Sequence, residues 1–314
     1  MSRDLLNLAL HPLGMALRAG IGLVLKGTVD QVRRAVRRAK IMPIRGVEIA
    51  GLEAPEDPSC AFLAERPDLR YARIAVAPLA DITTIEALVK LECLALLRAT
   101  RGQRIPIDLA ALPELQRLDL DWFDGAESAF RMRRLQSFGL SNCPLSMSAS
   151  LAQLTMLRRL RLADCALREI DALRPLGALT WVALHHLDKL TDFSGLSCHP
   201  AVRFLWIEGC RDLADLRCLE GLGALETLRI LDCGEIGGIE ALRSLPRLRH
   251  IHIHGSTRVV ARDMAFLRDM PQLESVVIAG MPREEAAHWT RRNRPYPLLR
   301  PDLLRPAFVN PARG

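Results

Sequence analysis

A short apolar motif recurs along most of this chain at intervals of 20 to 25 residues. In its clearest copy, Leu157, Leu160 and Leu162 predict a short strand, and Cys165 and Leu167 predict the turn that follows it. The same frame begins at ten further positions: Ile44, Leu69, Leu91, Leu115, Leu135, Leu179, Val202, Leu225, Leu248 and Leu273. One unit of this length cannot bury its own apolar face, so successive units must stack to form a core. The period therefore predicts a repeat array.

The second half of each unit has an apolar residue at every third position, as in Leu167, Ile170, Leu173 and Leu176. A spacing of three suits short 3-10 turns, in which side chains i and i+3 lie above one another. Strand motif and turn together resemble the 22-residue leucine-rich repeats of internalins and of the leucine-rich regulatory subunit of protein phosphatase 1. For residues 44–282 this resemblance implies an α/β fold, a leucine-rich-repeat solenoid of ten or eleven units. Such a solenoid is a right-handed β/3-10 superhelix with a parallel concave sheet.

The last units carry a second resemblance. The run from Gly255 to Leu273 is similar to the closing repeat of bacterial cytosolic leucine-rich-repeat proteins of unassigned function. That repeat often contains Asp-Gly-Asp, and here Ala261, Arg262 and Asp263 stand in its place. The resemblance implies a bacterial adaptor, regulator or immunity-type protein.

The net charge of +7 is concentrated at the two ends of the chain. Residues 1–40 carry +6, residues 283–314 carry +4, and the repeat body between them carries −3. A groove for nucleic acid needs a basic stripe. The charge of the repeat body therefore argues against a nucleic-acid partner.

The two ends are predicted to form segments separate from the repeats. Residues 1–43 are expected to make a helical cap, which the open end of a repeat array requires. Within it, residues 28–40 predict an amphipathic helix with valines on one face and arginines around the rest. Alternatively, this apolar and basic segment anchors the protein at an anionic membrane surface. Residues 283–314 are expected to form a basic, proline-rich C-terminal tail.

Four of the eight cysteines, Cys143, Cys165, Cys210 and Cys233, occupy the ninth position of their units. In the repeats that this chain resembles, that position holds Asn or Cys and points toward the turn backbone. No C-x-x-C spacing occurs. The pattern indicates reduced, structural cysteines and a cytoplasmic protein, because disulfides are rare in that compartment.

The third, fifth and seventh positions of each unit are expected to project from the concave face of the sheet. When the units are aligned, these positions bring three aromatic residues together on two adjacent strands: Trp181, Phe204 and Trp206. Exposed apolar area of this kind marks interaction sites. We therefore predict that the rings face solvent and bind a protein or peptide partner. Alternatively, the rings pack on one another or under a terminal segment.

Charged residues surround the predicted aromatic patch. Arg159 and Arg161 lie on one side of it and Arg229 on the other. His185 and Glu208 occupy neighbouring seventh positions and are expected to pair. Trp and Arg are the favoured residues of binding hot spots, and the arginines favour a partner with acidic character.

The strand that contains His250 and His252 raises the question of a metal site, since alternate histidines can bind Zn²⁺. The neighbouring columns supply no thiol or carboxylate, and Arg229 would repel a cation. We expect no metal and no cofactor here, and predict instead a pH-sensitive edge of the binding patch. The sequence contains neither a glycine-rich phosphate loop nor a G-x-S-x-G motif, so we predict a binding protein and not an enzyme.

Overall fold

A computed structural model describes residues 14–18, 22–38, 43–51, 59–75, 82–97, 104–260 and 264–292. The described chain divides into two compact units, one ending at Leu135 and the other beginning at Gln136. The substitution at residues 261–263 and the tail over residues 293–314, for which expectations are given above, lie outside the described residues.

The first unit contains a sheet whose described strands are β1 to β6, all parallel except for the antiparallel pair β1–β2. The described part of this unit also contains one α-helix and four 3-10 turns. The strands are Gly14–Arg18 (β1), Gly22–Gly27 (β2), Ile44–Ala50 (β3), Tyr71–Ala75 (β4), Cys93–Leu96 (β5) and Arg117–Asp121 (β6). The helix is Val29–Arg38 (α1), and the 3-10 turns are Ala61–Glu65, Thr83–Ala87, Leu109–Ala111 and Ala126–Arg131.

The second unit repeats the same arrangement. Its strands are Ser137–Ser141 (β7), Arg159–Ala163 (β8), Trp181–His185 (β9), Phe204–Glu208 (β10), Thr227–Leu231 (β11), Glu235–Ile236 (β12), His250–His254 (β13), Arg258–Val259 (β14) and Ser275–Ile278 (β15). β12 pairs only with β14, and the other seven form one parallel sheet in chain order. Its 3-10 turns are Leu145–Gln153, Asp171–Leu173, Ser194–Cys198, Leu216–Leu219, Ile239–Ser244 and Ala265–Asp269, and a helix, Arg283–Arg292 (α2), follows β15.

The register of the sheet follows the repeat frame seen in the sequence. From Leu69 onward, a strand begins two residues after the predicted first residue of each repeat. Equivalent positions pair across the strands, so that Trp181 lies beside Arg159 on one side and Phe204 on the other. The predicted columns of third, fifth and seventh positions are therefore confirmed for the second unit.

The core consists of the inward leucines of each strand together with the ninth-position cysteines. Leu157, Leu160 and Leu162 are fully buried, and burying a side chain of this size stabilises the fold by roughly 1.5–3 kcal/mol. All eight cysteines are free thiols. Cys233 Sγ lies 3.1 Å from the Leu231 carbonyl oxygen, and burial raises the pKa of this thiol to about 11.

A left-handed residue bends the chain from each strand of the second unit into its turn. The eighth position has a positive φ in Asn142, Asp164, His186, Gly209, Asp232, Gly255 and Gly280. Such a conformation favours Gly, Asn and Asp. At Gly255, a Cβ atom would lie too close to an Asp232 carboxylate oxygen, so a larger residue would require that carboxylate to move.

At the N-terminal end, the predicted helical cap is only partly correct. The helix is present as α1, but residues 22–27 form β2, which extends the sheet by pairing with β3. Val24 and Leu25 are both fully buried, so this strand is covered on both faces. A strand of that kind is a continuous apolar run, which cannot be told from a helical segment by its pattern.

Helix α1 packs its apolar face inside the first unit. Val29, Val32 and Val36 are at most 1% exposed, and the Arg33 guanidinium lies over the Phe62 ring at 5.4 Å. The face that would enter a lipid surface is therefore covered by the protein's own first repeat. Within the described residues, neither α-helix has the length and apolarity to cross a membrane.

At the C-terminal end, the prediction of a tail starting at residue 283 is wrong for its first ten residues. They form α2, which buries Trp289 to 1% exposure. Glu285 is also buried and pairs with Arg268 at 2.8 Å. The helix has the usual signals: acidic residues in the first turn and Arg291 and Arg292 in the last, where they complement the helix dipole.

Candidate functional site

Trp181 and Phe204 form a stacked pair on the face of the sheet opposite the leucine core. They pair in register on β9 and β10, with ring centroids 5.5 Å apart and ring planes 3° from parallel. Neither ring is open to solvent, since Trp181 is 5% exposed and Phe204 is 7% exposed. The prediction that these rings face solvent is therefore wrong. Adjacent strands lie about 4.8 Å apart, close to the separation of stacked rings, so large side chains in one column cover each other.

Trp206 packs beside this pair and is half-buried. Its ring centroid is 4.6 Å from that of His185, and the Arg229 guanidinium carbon lies over the ring at 4.5 Å. β9 and β11 flank β10 on opposite sides, so His185 and Arg229 approach Trp206 from opposite sides. The Arg229 contact has the geometry of a cation–π interaction.

His185 does not form the predicted ion pair with Glu208, although the two residues are neighbours in register. Its ring packs on Trp206 instead. The pKa of His185 falls to about 3, first because the ring is buried and then because the Arg161 guanidinium and other nearby cations oppose a second positive charge. An ion pair with Glu208 would need a protonated imidazole, which this environment opposes.

Three ring nitrogens in this cluster have no hydrogen-bond partner among the described residues: Trp181 Nε1, Trp206 Nε1 and His185 Nε2. All three atoms are buried. Leaving a buried donor unsatisfied costs about 1–3 kcal/mol, and native proteins have few such groups. The repeat frame predicts that these residues lie together but not that their nitrogens lack partners, which depends on side-chain orientation.

The predicted arginines lie around the rings. Arg159, Arg161 and Arg229 are all half-buried, and Arg161 donates a hydrogen bond of 3.4 Å to Ser141 Oγ. Glu208 is the only carboxylate at the third, fifth and seventh positions of the strands β7 to β11, β13 and β15. This face is therefore locally positive, although the repeat body as a whole carries −3.

We call Trp181, Phe204, Trp206 and His185, together with Arg161 and Arg229, the aromatic–arginine cluster. Arg159, adjacent to Trp181 on β8, lies at its edge. The sequence-predicted residues thus come together on β8 to β11, as expected. What differs from the expectation is the state of the rings, whose faces are covered.

His250 and His252 lie on β13, next to the cluster. Burial lowers the pKa of His250, and burial together with Arg229 lowers that of His252 to about 4. The prediction that this edge titrates near neutrality is therefore wrong for His252. Among the described residues, no three His, Cys, Asp or Glu side chains converge as a metal site would need.

The structure was compared with those of known proteins to identify its fold. The chain is similar to TLR13 in its solved complex with ssRNA13, with a TM-score of 0.53 and 16% identity over 82% of this chain and 45% of that one. The fold is a leucine-rich-repeat solenoid. This confirms the architecture that the sequence motif predicts.

Other solved structures with this solenoid are also similar to the chain. An internalin (InlF) from Listeria monocytogenes has a TM-score of 0.48 and 15% identity over 82% of this chain and 86% of that one. The functional domain of InlJ from the same organism has a TM-score of 0.44 and 17% identity over 80% and 57%. At identities this low, no role carries over from these proteins to this chain. No family model matches the chain, and no curated protein matches it.

Proposed function

We propose that the solenoid is a binding module that captures a protein or peptide partner on the concave face of its second unit. The observation that supports this most strongly is the aromatic–arginine cluster with its three unpartnered ring nitrogens. Trp and Arg dominate the binding energy of protein interfaces. Polar groups that are buried without a partner in the free protein gain most when a ligand supplies one.

We further propose that the module works in the cytoplasm as a bacterial adaptor, regulator or immunity-type protein. Free, buried cysteines support the compartment, and the closing-repeat resemblance supports the class. The TLR13 structure contains RNA, but the covered faces of Trp181 and Phe204 leave little surface on which the bases of such a partner could stack.

Affinity capture from the native host tests the proposal, with the full chain as bait and mass spectrometry as readout. The variant Arg161→Glu/Arg229→Glu reverses two charges in the cluster. The control Arg211→Glu/Arg243→Glu reverses two exposed charges away from the concave strands. A partner should be retained by wild type and control and lost by the cluster variant. If the captured proteins are the same with all three baits, the concave face is not the binding surface.

A further inference from the structure

We propose that the aromatic–arginine cluster recognises carboxylate groups of an acidic peptide segment, through the edges of its rings and not their faces. This inference rests on the proposed function and specifies the chemistry of its partner. It goes beyond a general hot spot because it assigns the contact to particular N–H groups.

The ring faces are already occupied within the protein. Trp181 and Phe204 cover each other, and Trp206 has His185 and Arg229 against it. A ligand that binds by stacking therefore has little ring surface to use. What remains unmatched is the indole N–H of Trp181 and of Trp206.

An indole N–H can only donate a hydrogen bond, so its ligand must supply an acceptor. His185 adds a third ring nitrogen without a partner, and a neutral imidazole can also donate. Several donors close together favour an anionic acceptor, because hydrogen bonds to charged oxygens are stronger than neutral ones.

The charges nearby favour a carboxylate for the same reason. Arg161 and Arg229 come from strands on the two sides of the cluster, and a guanidinium matches a carboxylate in geometry. At the third, fifth and seventh positions of β7 to β11, β13 and β15, the only negatively charged residue is Glu208. Because the nitrogens are covered in the free protein, the ligand has to displace a neighbouring side chain to reach them.

A single-stranded nucleic acid is the competing ligand, since it too combines negative charge with groups that favour Trp and Arg. Such ligands bind by stacking their bases on aromatic faces. The covered faces of Trp181, Phe204 and Trp206 oppose this mode, so the acidic peptide is the better match.

The test is a titration of the full chain with a hexaglutamate peptide, followed by ¹H–¹⁵N spectra of the indole N–H groups. The four tryptophans give four such signals. We expect hexaglutamate to shift those of Trp181 and Trp206 and to leave those of Trp122 and Trp289 in place. Hexaglutamine, inorganic phosphate and a six-nucleotide oligouridylate are the comparison probes, and each should bind at least tenfold more weakly.

Two variants, each with a matched control, test whether binding depends on the hydrogen-bond donors of the cluster or only on its packing. Trp206→Phe keeps an aromatic ring but removes the N–H, and should weaken hexaglutamate binding about tenfold, or 1.4 kcal/mol. Its control is Trp289→Phe, which removes a buried and unpartnered N–H from α2. Arg229→Met should also weaken binding about tenfold. Its control is Arg243→Met, since that guanidinium lies over Phe266 at 4.4 Å, away from the concave strands.

The inference is overturned if hexaglutamate moves neither indole signal, if Trp206→Phe binds it as wild type does, or if phosphate or oligouridylate binds more tightly. These outcomes differ from a failure of the proposed function. A captured protein that needs Arg161 and Arg229 but is not displaced by hexaglutamate would leave the function standing and reject the carboxylate. A captured protein that needs neither arginine would reject the binding face itself.

Discussion

The stacked pair of Trp181 and Phe204 has a structural role as well as a place in the proposed site. Both rings exclude water although they lie outside the leucine core. Stacked aromatic pairs add about 0.5–1.5 kcal/mol beyond the area that they bury. The pair therefore rigidifies the surface that carries the unpartnered nitrogens.

Removing one ring of this pair should lower stability measurably. We expect Trp181→Ala to lower the free energy of unfolding by about 3 kcal/mol, as for other buried aromatic truncations, measured by urea denaturation. The control is Val277→Ala on the same face, where the side chain is 41% exposed and the expected change is within about 0.5 kcal/mol. A loss below about 1 kcal/mol for Trp181→Ala would mean that the rings do not support the fold.

The buried histidines make the fold sensitive to acid. The pKa falls to about 3 in His185 and to about 4 in His252, mainly through burial, and that of His199, which is 1% exposed, is also lowered. In the unfolded chain a histidine has a pKa of about 6.5. The unfolded state therefore binds more protons below that pH, and stability present above about pH 6.5 is lost as the pH falls toward 4.

Urea midpoints at several pH values test this. The free energy of unfolding should fall by about 2 kcal/mol between pH 7 and pH 5, after allowance for the partial exposure of His185 and His252. The variant His185→Gln/His252→Gln should show a shallower fall. Stability that is constant or rises over this range would show that the histidines are not held neutral.

At the scale of elements, the strands and their register could be predicted from sequence because every repeat has apolar residues at the same positions of its strand. Leu157, Leu160 and Leu162 mark one strand, and every equivalent trio marks another. The positions of side chains on the concave face follow from that register. Their burial does not, since the Trp181–Phe204 stack depends on rotamers chosen across two strands.

The ends of the array were harder to predict because they lack the repeat. β2 is apolar on both faces, so its pattern gives no period to distinguish strand from helix. In α2 the signals were present: Pro282 precedes the helix, and Glu284 and Glu285 lie in its first turn. The helix was not predicted because residues 283–314 were treated as one segment, and the prolines and arginines beyond residue 292 dominate the composition of that segment.

Substitutions in helix α1 test whether it is a structural cap or a membrane anchor. Val32 is fully buried, so Val32→Asp places an unpaired carboxylate in an apolar interface and should lower the melting temperature by about five degrees, roughly 3 kcal/mol. Arg34→Asp adds the same side chain on the exposed side of α1 and should lower it by only about one degree. An anchor predicts the opposite: an unchanged melting temperature for Val32→Asp and loss of co-sedimentation with anionic vesicles.

At the scale of the whole molecule, repeat architecture limits how far a substitution acts. In a repeat protein, each repeat contacts the repeats next to it and little else. A change on the concave side of β10 should therefore alter binding without unfolding distant repeats. This separation allows the binding claim to be tested apart from stability.

The most direct test measures two quantities for Trp206→Ala in the full chain: its affinity for the protein captured by the wild type, and its melting temperature. Trp206 is only half-buried, so the melting temperature should fall by no more than a few degrees. As a hot-spot residue it should contribute about 2–4 kcal/mol, so affinity should fall about 30- to 900-fold. An affinity equal to that of the wild type, with a melting temperature several degrees lower, would show that Trp206 is a packing residue and not part of a binding surface.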